Sequence, residues 1–189
     1  MHGYLSALEA RDGVPSGATK VLPIVTETGA SMFGTASYRE GTPRLAGLLW
    51  GGEDLAADIG AVSNRDGSGR YAPVFELARS LCLLAATTAR ATAIDAVYTD
   101  FRNPAGLRVE AEIAARDGFT AKAAIHPDQV AIINEVFAPS AEEIARARRV
   151  VDLFAAGGAT GVIALDGKML DRPHLTMARR LLSRARQSV

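Results

Sequence analysis

The sequence predicts an α/β protein built on a parallel sheet covered by helices. Three observations carry this. Apolar runs of strand length (VLPIV, LAGLLW, AIDAVYT and AKAAI) alternate with helical segments, and the connections are short. The runs are mostly apolar, as in strands buried on both faces. Two of them end abruptly in a carboxylate beside small residues, Glu27 in VTETG and Asp54 in GGEDLAADIG.

Each element follows from local signals. Leu5 to Arg11 reads as the end of a helix, and GVPSGATK as a loop. Val21–Val25 is the first strand, and Ala30–Tyr38 is helical before the turn REGTPR. Leu45–Trp50 is the second strand, closed by Gly51-Gly52. SNRDGSGRY is a loop rich in turn-forming residues. Pro73 opens a helix to Ala89, with proline placed in the first turn. Ile94–Thr99 is the third strand, followed by a helix from Asn103-Pro104 to about Arg116 that Gly118 stops. Ala121–Ile125 is the fourth strand, and His126-Pro127 leads into a helix over Asp128–Phe137. Ser140 with Glu143 three residues on forms a capping-box pattern for a helix to about Ala155. Gly157-Gly158 breaks that helix. GVIALDGKMLD then reads as a hairpin turning at Asp166-Gly167, and Pro173–Ala185 as a final basic helix. Arg179, Arg180, Arg184 and Arg186 near its end suit the helix dipole or a solvated face better than a phosphate. The expected organisation is a partial (β/α) barrel over 1–156 and an extension over 157–189.

Bulk composition narrows the function classes. The chain has 189 residues, 48% hydrophobic and 22% charged, enough for a cored domain. Its 21 basic and 21 acidic residues cancel, which gives no case for nucleic acid or a membrane surface as partner. The single cysteine, Cys82, allows neither an internal disulfide nor a zinc cluster, and its apolar helical context reads as core. No segment reads as a signal peptide or a spanning helix, so a soluble, cytoplasmic protein is the expectation. Phosphate-binding glycine patterns of nucleotide enzymes do not occur.

Carboxylates at strand ends stand where α/β barrels keep their catalytic groups, and two of them suit a hard divalent cation. Mg²⁺ is the best match, with Mn²⁺ an alternative. Several readings stay open. Glu27 is a metal ligand or an exposed strand-end carboxylate. Asp54 competes with Glu53 and with Asp58, which lies four residues on and would share a face with it on a helical turn. Asp100 lines a pocket or caps the next helix, and His126 is catalytic or shapes the end of the fourth strand.

Five stretches together resemble the citrate lyase β-subunit-like family of the HpcH/HpaI aldolase superfamily. They are LPIVTETGASMFG, GLLWGGEDLAADIG, AIDAVYTDFRNPAGL, GFTAKAAIHPDQVAIINEVFAPS and ALDGKMLDRPHLTMARRLL, in family order. The resemblance implies a TIM-type (β/α)8 barrel, of which this chain holds the second half plus the C-terminal hairpin-helix extension. It implies a Mg²⁺-dependent carbon–carbon lyase that cleaves a CoA thioester of a hydroxy acid, such as citryl-CoA or malyl-CoA, to an oxo acid and an acyl-CoA. Glu27 and Asp54 fall on the family's metal-ligating glutamate and aspartate. Asp171 falls on an aspartate that serves as acid/base in a neighbouring subunit's site; its rival reading is an N-cap for the last helix. Asp100 and His126 would border the substrate. A trimer or hexamer is implied. So are four preceding strands in a family barrel, carrying an arginine for the substrate carboxylate and part of the CoA site. A half-barrel leaves two sheet edges unpaired, so the chain is either a truncated part of a longer barrel or a half-barrel that pairs with another copy or another chain. The alternatives are a malyl-CoA-type thioesterase, or a non-catalytic half-barrel that binds a metal or a partner.

Overall fold

A computed structural model describes residues 1–157 and 161–187, with side chains to residue 185. Gly158 and the Arg186 side chain, both singled out in the sequence, lie outside what is described. The chain forms two compact units, 1–133 and 134–189, so the helix over 141–156 groups with the extension.

The first unit is organised by strand alternation. Strands β1 (Gly47–Leu49), β2 (Thr92–Asp95) and β3 (Ala121–Lys122) form a parallel sheet in that order. Register pairs Leu48 with Ala93 and Asp95 with Lys122. One face of this sheet, carrying Leu48, Trp50, Ala93, Asp95 and Lys122, is buried. Against it packs α4 (Pro73–Ala89) through Phe75, Ala78, Cys82 and Ala86, and the Cys82 thiol reaches the Leu48 carbonyl. Helix α5 (Pro104–Asp117) buries Leu107, Ala111 and Ala114. Asn103 caps it by accepting from the Gly106 N–H, and Gly118 ends it at φ 114°.

The expected first strand is present only as two isolated parallel bridges, Val21 with Leu45 and Ile24 with Leu49. Pro23 is the reason, because it cannot donate to the ladder. The segment still runs alongside β1: Val21 donates to the Arg44 carbonyl, and Val25 to that of Leu49. The third and fourth strands are also shorter than expected. Beyond Asp95 and Lys122 the buried Gln129 side chain replaces the ladder, donating to the Tyr98 carbonyl and accepting from the Ile125 N–H. The helix expected over 30–38 is α2 (Gly29–Gly34), capped by Thr28 and Ser31, continued by a 3-10 turn over Thr35–Glu40. There the Thr35 and Ser37 hydroxyls donate to carbonyls three residues back, which favours the tighter turn. A short helix not marked out in the sequence, α3 (Glu53–Ile59), follows β1. At the N-terminal side, α1 (His2–Arg11) places Glu9 against Arg44 in a buried pair.

In the second unit α7 (Ala141–Ala156) starts at the expected Ser140–Glu143 capping box. The hairpin of β4 (Val162–Leu165) and β5 (Lys168–Asp171) turns at Asp166 and Gly167, φ 51° and 73°, as an Asp-Gly turn requires. Ile163, Leu165 and Leu170 pack with Val150 and with Ala178 of α8 (Arg172–Gln187). Helix α6 (Pro127–Phe137) crosses the division between the units. Among the described residues no helix is long and apolar enough to cross a membrane.

Candidate functional site

Glu27 lies beside the turn between β1 and α3, and Asp54 follows that turn. Thr26, fully buried, ties the end of the first segment to that turn: the Gly51 N–H donates to its hydroxyl (3.1 Å), which donates in turn to the Gly51 carbonyl (3.3 Å). Glu27 follows immediately and is half-buried. Its Cγ lies 3.7 Å from where a Cβ on residue 51 would sit, and Ile24 Cγ2 lies 3.1 Å from that point. A glycine at 51 therefore leaves Glu27 room beside the turn. Gly52 is constrained from the other side, since a Cβ there would meet the Trp50 ring at 3.3 Å. Asp54 stands in the first turn of α3, where the helix dipole favours a carboxylate.

The rival acids are occupied. Glu53 accepts from the Asn64 side chain at 2.7 Å, and Asp58 from the Gly29 N–H at 2.8 Å. Glu27 and Asp54 have no side-chain partner among the described residues. Their oxygen-only chemistry fits a hard cation, with the remaining positions left to substrate and water. Among the described residues no three or more His, Cys, Asp or Glu side chains group together as a complete protein-only metal site.

The other expected site residues are placed differently. Asp100 is exposed in a turn, where its carbonyl accepts from the Asn103 N–H. It borders a cleft of about 960 Å³ lined by residues of α4, α5 and the loop over 65–71. His126 stacks on Phe101, ring centroids 4.8 Å apart, and its Nδ1 accepts from the Asp128 N–H. Those contacts fix the ring at the end of the fourth segment. Asp171 belongs to the second unit. It ends β5, is exposed, and its Oδ1 lies 2.6 Å from His174 Nδ1. It also occupies the cap position before α8, so both readings of this residue remain compatible with its place.

Sequence reasoning missed a charged network on the helix side of the sheet. Asp95 accepts from Trp50 Nε1 (2.7 Å), Lys122 Nζ (2.8 Å) and Arg79 Nε (3.2 Å). Lys122 also donates to Glu110 (2.8 Å), which takes Arg65 (2.6 Å). Arg79 continues to Asp117 (2.7 Å) and lies over the Phe119 ring. Charged residues inside otherwise apolar strands (AIDAV and TAKAA) were the available signal. Burial, with Asp95 nearby, pushes the Cys82 thiol up to about 12, so it is a protonated core residue.

Comparison with known proteins places this architecture. Residues 53–188 match the model of the C–C bond lyase family of the TIM-barrel fold, a span that includes Asp54 and Asp171 but not Glu27. A citrate lyase subunit beta-like protein of Mycobacterium tuberculosis is 42% identical over 139 residues, 74% of this chain and 50% of the relative. A (3S)-malyl-CoA thioesterase of Cereibacter sphaeroides is 38% identical over 164 residues, 84% of this chain and 54% of the relative. The crystal structure of CitE from M. tuberculosis in complex with magnesium, acetoacetate and coenzyme A superposes with TM-score 0.70 at 34% identity, covering 95% of this chain and 72% of that one. The chain thus spans about half the length of the curated relatives it matches. With a half-barrel of parallel strands and helices, and a family match over most of its length, the chain belongs to the citrate lyase β-like family of TIM-barrel carbon–carbon bond lyases.

Proposed function

We propose that Glu27 and Asp54 hold Mg²⁺, or Mn²⁺ in its place, and that the site serves carbon–carbon cleavage of a CoA thioester of a hydroxy acid. The observation that carries this reading is selective occupancy. Of the four acids around the β1–α3 turn, Glu53 and Asp58 are spent on Asn64 and Gly29, while Glu27 and Asp54 are free. A bound magnesium ion supplies Lewis acidity to the oxygen of an oxo or hydroxy acid. This chain's residues do the rest. Thr26 and Gly51 hold the turn that brings Glu27 beside α3. Asp171, delivered by a neighbouring copy, is assigned the proton that must be removed and returned when the carbon–carbon bond breaks. Asp100 and His126 border the substrate. The CitE complex with magnesium, acetoacetate and coenzyme A supports the ligand class.

Similarity to the malyl-CoA thioesterase supports a second reading, hydrolysis at the same site. Product analysis separates the two. Cleavage of malyl-CoA releases an oxo acid, whereas hydrolysis releases malate and free thiol.

The metal assignment is tested by calorimetric titration of Mg²⁺ or Mn²⁺, with oxaloacetate present. Wild type and Glu53→Gln are expected to bind, while Glu27→Gln and Asp54→Asn lose affinity by more than about tenfold. No binding to wild type, or loss in Glu53→Gln with Asp54→Asn unaffected, overturns the assignment.

A further inference from the structure

The turn that carries the candidate ligands is backed by a closed circuit of side chains. Trp50 is the only tryptophan, is 1% exposed, and directly precedes Gly51 and Gly52. Its indole N–H donates to Asp95 Oδ1, while Asp95 Oδ2 accepts from Lys122. Lys122 donates onward to Glu110 Oε1, and Glu110 Oε2 accepts from Arg65. The Arg65 guanidinium lies 3.8 Å from the centre of the Tyr71 ring. Tyr71 meets the indole edge-on, with ring centroids 4.8 Å apart and planes at 75°. The chain of contacts that leaves Trp50 at its nitrogen thus returns to it at its ring.

Packing alone does not call for this arrangement. A buried ion pair is often matched or bettered in stability by well-packed apolar residues of similar volume. What a satisfied buried network adds is rigidity of the groups it contains. Here the group at the centre is the indole, and the indole abuts the turn. A Cβ on residue 52 would meet Trp50 Cζ3 at 3.3 Å and Asn64 Nδ2 at 3.4 Å, and Asn64 holds Glu53. Gly51 is bonded to Thr26, the neighbour of Glu27, and Gly52 is the N-cap of α3, whose first turn carries Asp54. Trp50 therefore stands at the root of both paths, through Gly51 to Glu27 and through Gly52 to Asp54.

We infer that Trp50 is a positioning residue for the cation, held by the Asp95–Lys122–Glu110–Arg65–Tyr71 circuit so that the turn over 51–54 keeps Glu27 and Asp54 at a fixed spacing. The inference rests on the assignment of those two carboxylates as metal ligands. It has a consequence for selectivity. Mg²⁺ demands near-ideal octahedral geometry, whereas Ca²⁺ accepts longer and more variable coordination. A turn released from the indole costs Mg²⁺ more than Ca²⁺.

Because the chain has one tryptophan, its benzothiophene analogue can be incorporated at position 50 alone. The analogue keeps the fused ring and lacks the N–H. Calorimetric titrations of Mg²⁺ and of Ca²⁺, with oxaloacetate present, compare it with wild type, Trp50→Phe and Glu27→Gln. The analogue and Trp50→Phe are expected to lose about tenfold in Mg²⁺ affinity and less in Ca²⁺ affinity, so the preference for Mg²⁺ falls. The analogue preserves the bulk of the side chain, which keeps the test valid should Trp50→Phe misfold. No Mg²⁺ binding to wild type, or undiminished binding to Glu27→Gln, overturns the ligand assignment and this inference with it. Binding that Glu27→Gln loses and the analogue keeps overturns the role of Trp50 alone. Equal losses of Mg²⁺ and Ca²⁺ affinity in the analogue also overturn it, since they mark a general loss of structure.

Discussion

Replacing Lys122 with methionine isolates the contribution of charge on the helix side of the sheet. The Lys122 side chain is 0% exposed, and its two bonds, to Asp95 and Glu110, are each 2.8 Å long. Methionine keeps most of the volume and the flexible stem, so packing changes little. What is lost is two charge-assisted hydrogen bonds, beside a carboxylate that is only 1% exposed. Breaking a buried pair by removing one partner costs about 3–5 kcal/mol when the survivor is left alone. Here the survivors are not alone. Asp95 keeps Trp50 and Arg79, and Glu110 keeps Arg65. The lower end, about 3 kcal/mol, is therefore expected. In a chain of 189 residues that lowers Tm by roughly 6–12 °C. Trp50, the only tryptophan, donates to Asp95, so its fluorescence reports unfolding at the network itself. Urea denaturation followed by that signal measures the loss. Lys122→Ala adds a cavity and should be worse than Lys122→Met. A methionine variant within about 1 kcal/mol of wild type would refute the view that Asp95 depends on this cation.

Further outcomes follow from the same geometry. The Arg44 guanidinium, with help from the Gly17 and Thr19 N–H groups, holds the Glu9 carboxyl well below its ordinary 4.5. A carboxyl depressed in the folded state stabilises fully above its unfolded pKa, and the contribution disappears as pH falls below 4.5 toward the folded value. Acid titration of stability should therefore be flatter for Glu9→Gln than for wild type, and equal slopes would remove Glu9 from the acid response. Cys82, buried and pushed up to about 12, should resist alkylation at pH 8 in the folded chain and react once urea unfolds it. Rapid modification of the native protein would contradict its placement under β1.

Much of this architecture is legible in the sequence because its signals are local. The Ser140–Glu143 box, the Asp166-Gly167 turn and the Pro73 start are set by chemistry within a few residues, and the structure shows all three. Strand length is not local. Ile94–Thr99 reads as one apolar run, yet pairing stops at Asp95 because a glutamine on a later helix takes over the Tyr98 carbonyl. The charged network is hidden for the same reason, since Asp95, Lys122 and Glu110 come together only in register. At the candidate site the sequence suggested strand ends for both carboxylates, whereas Glu27 follows a segment of isolated bridges and Asp54 lies in the first turn of α3. The choice among Glu53, Asp54 and Asp58 depended on Asn64 and Gly29, contacts that no spacing rule reveals.

Placement also separates two roles that a turnover assay would merge. Glu27 and Asp54 depend on Thr26, Gly51 and the β1 ladder, all within residues 1–133. Asp171 depends on the β4–β5 hairpin and on His174, within residues 134–189. If Asp171 serves only proton transfer, Asp171→Asn should leave Mg²⁺ affinity in the presence of oxaloacetate unchanged, within about twofold, and still abolish turnover. Parallel loss of metal affinity in Asp171→Asn would show that this carboxylate helps hold the cation, and its assignment as acid and base would fall. Asp171→Glu provides the converse control. It keeps the charge but lengthens the reach past His174, so a positioned proton carrier should lose turnover there as well, whereas a distant electrostatic role would survive.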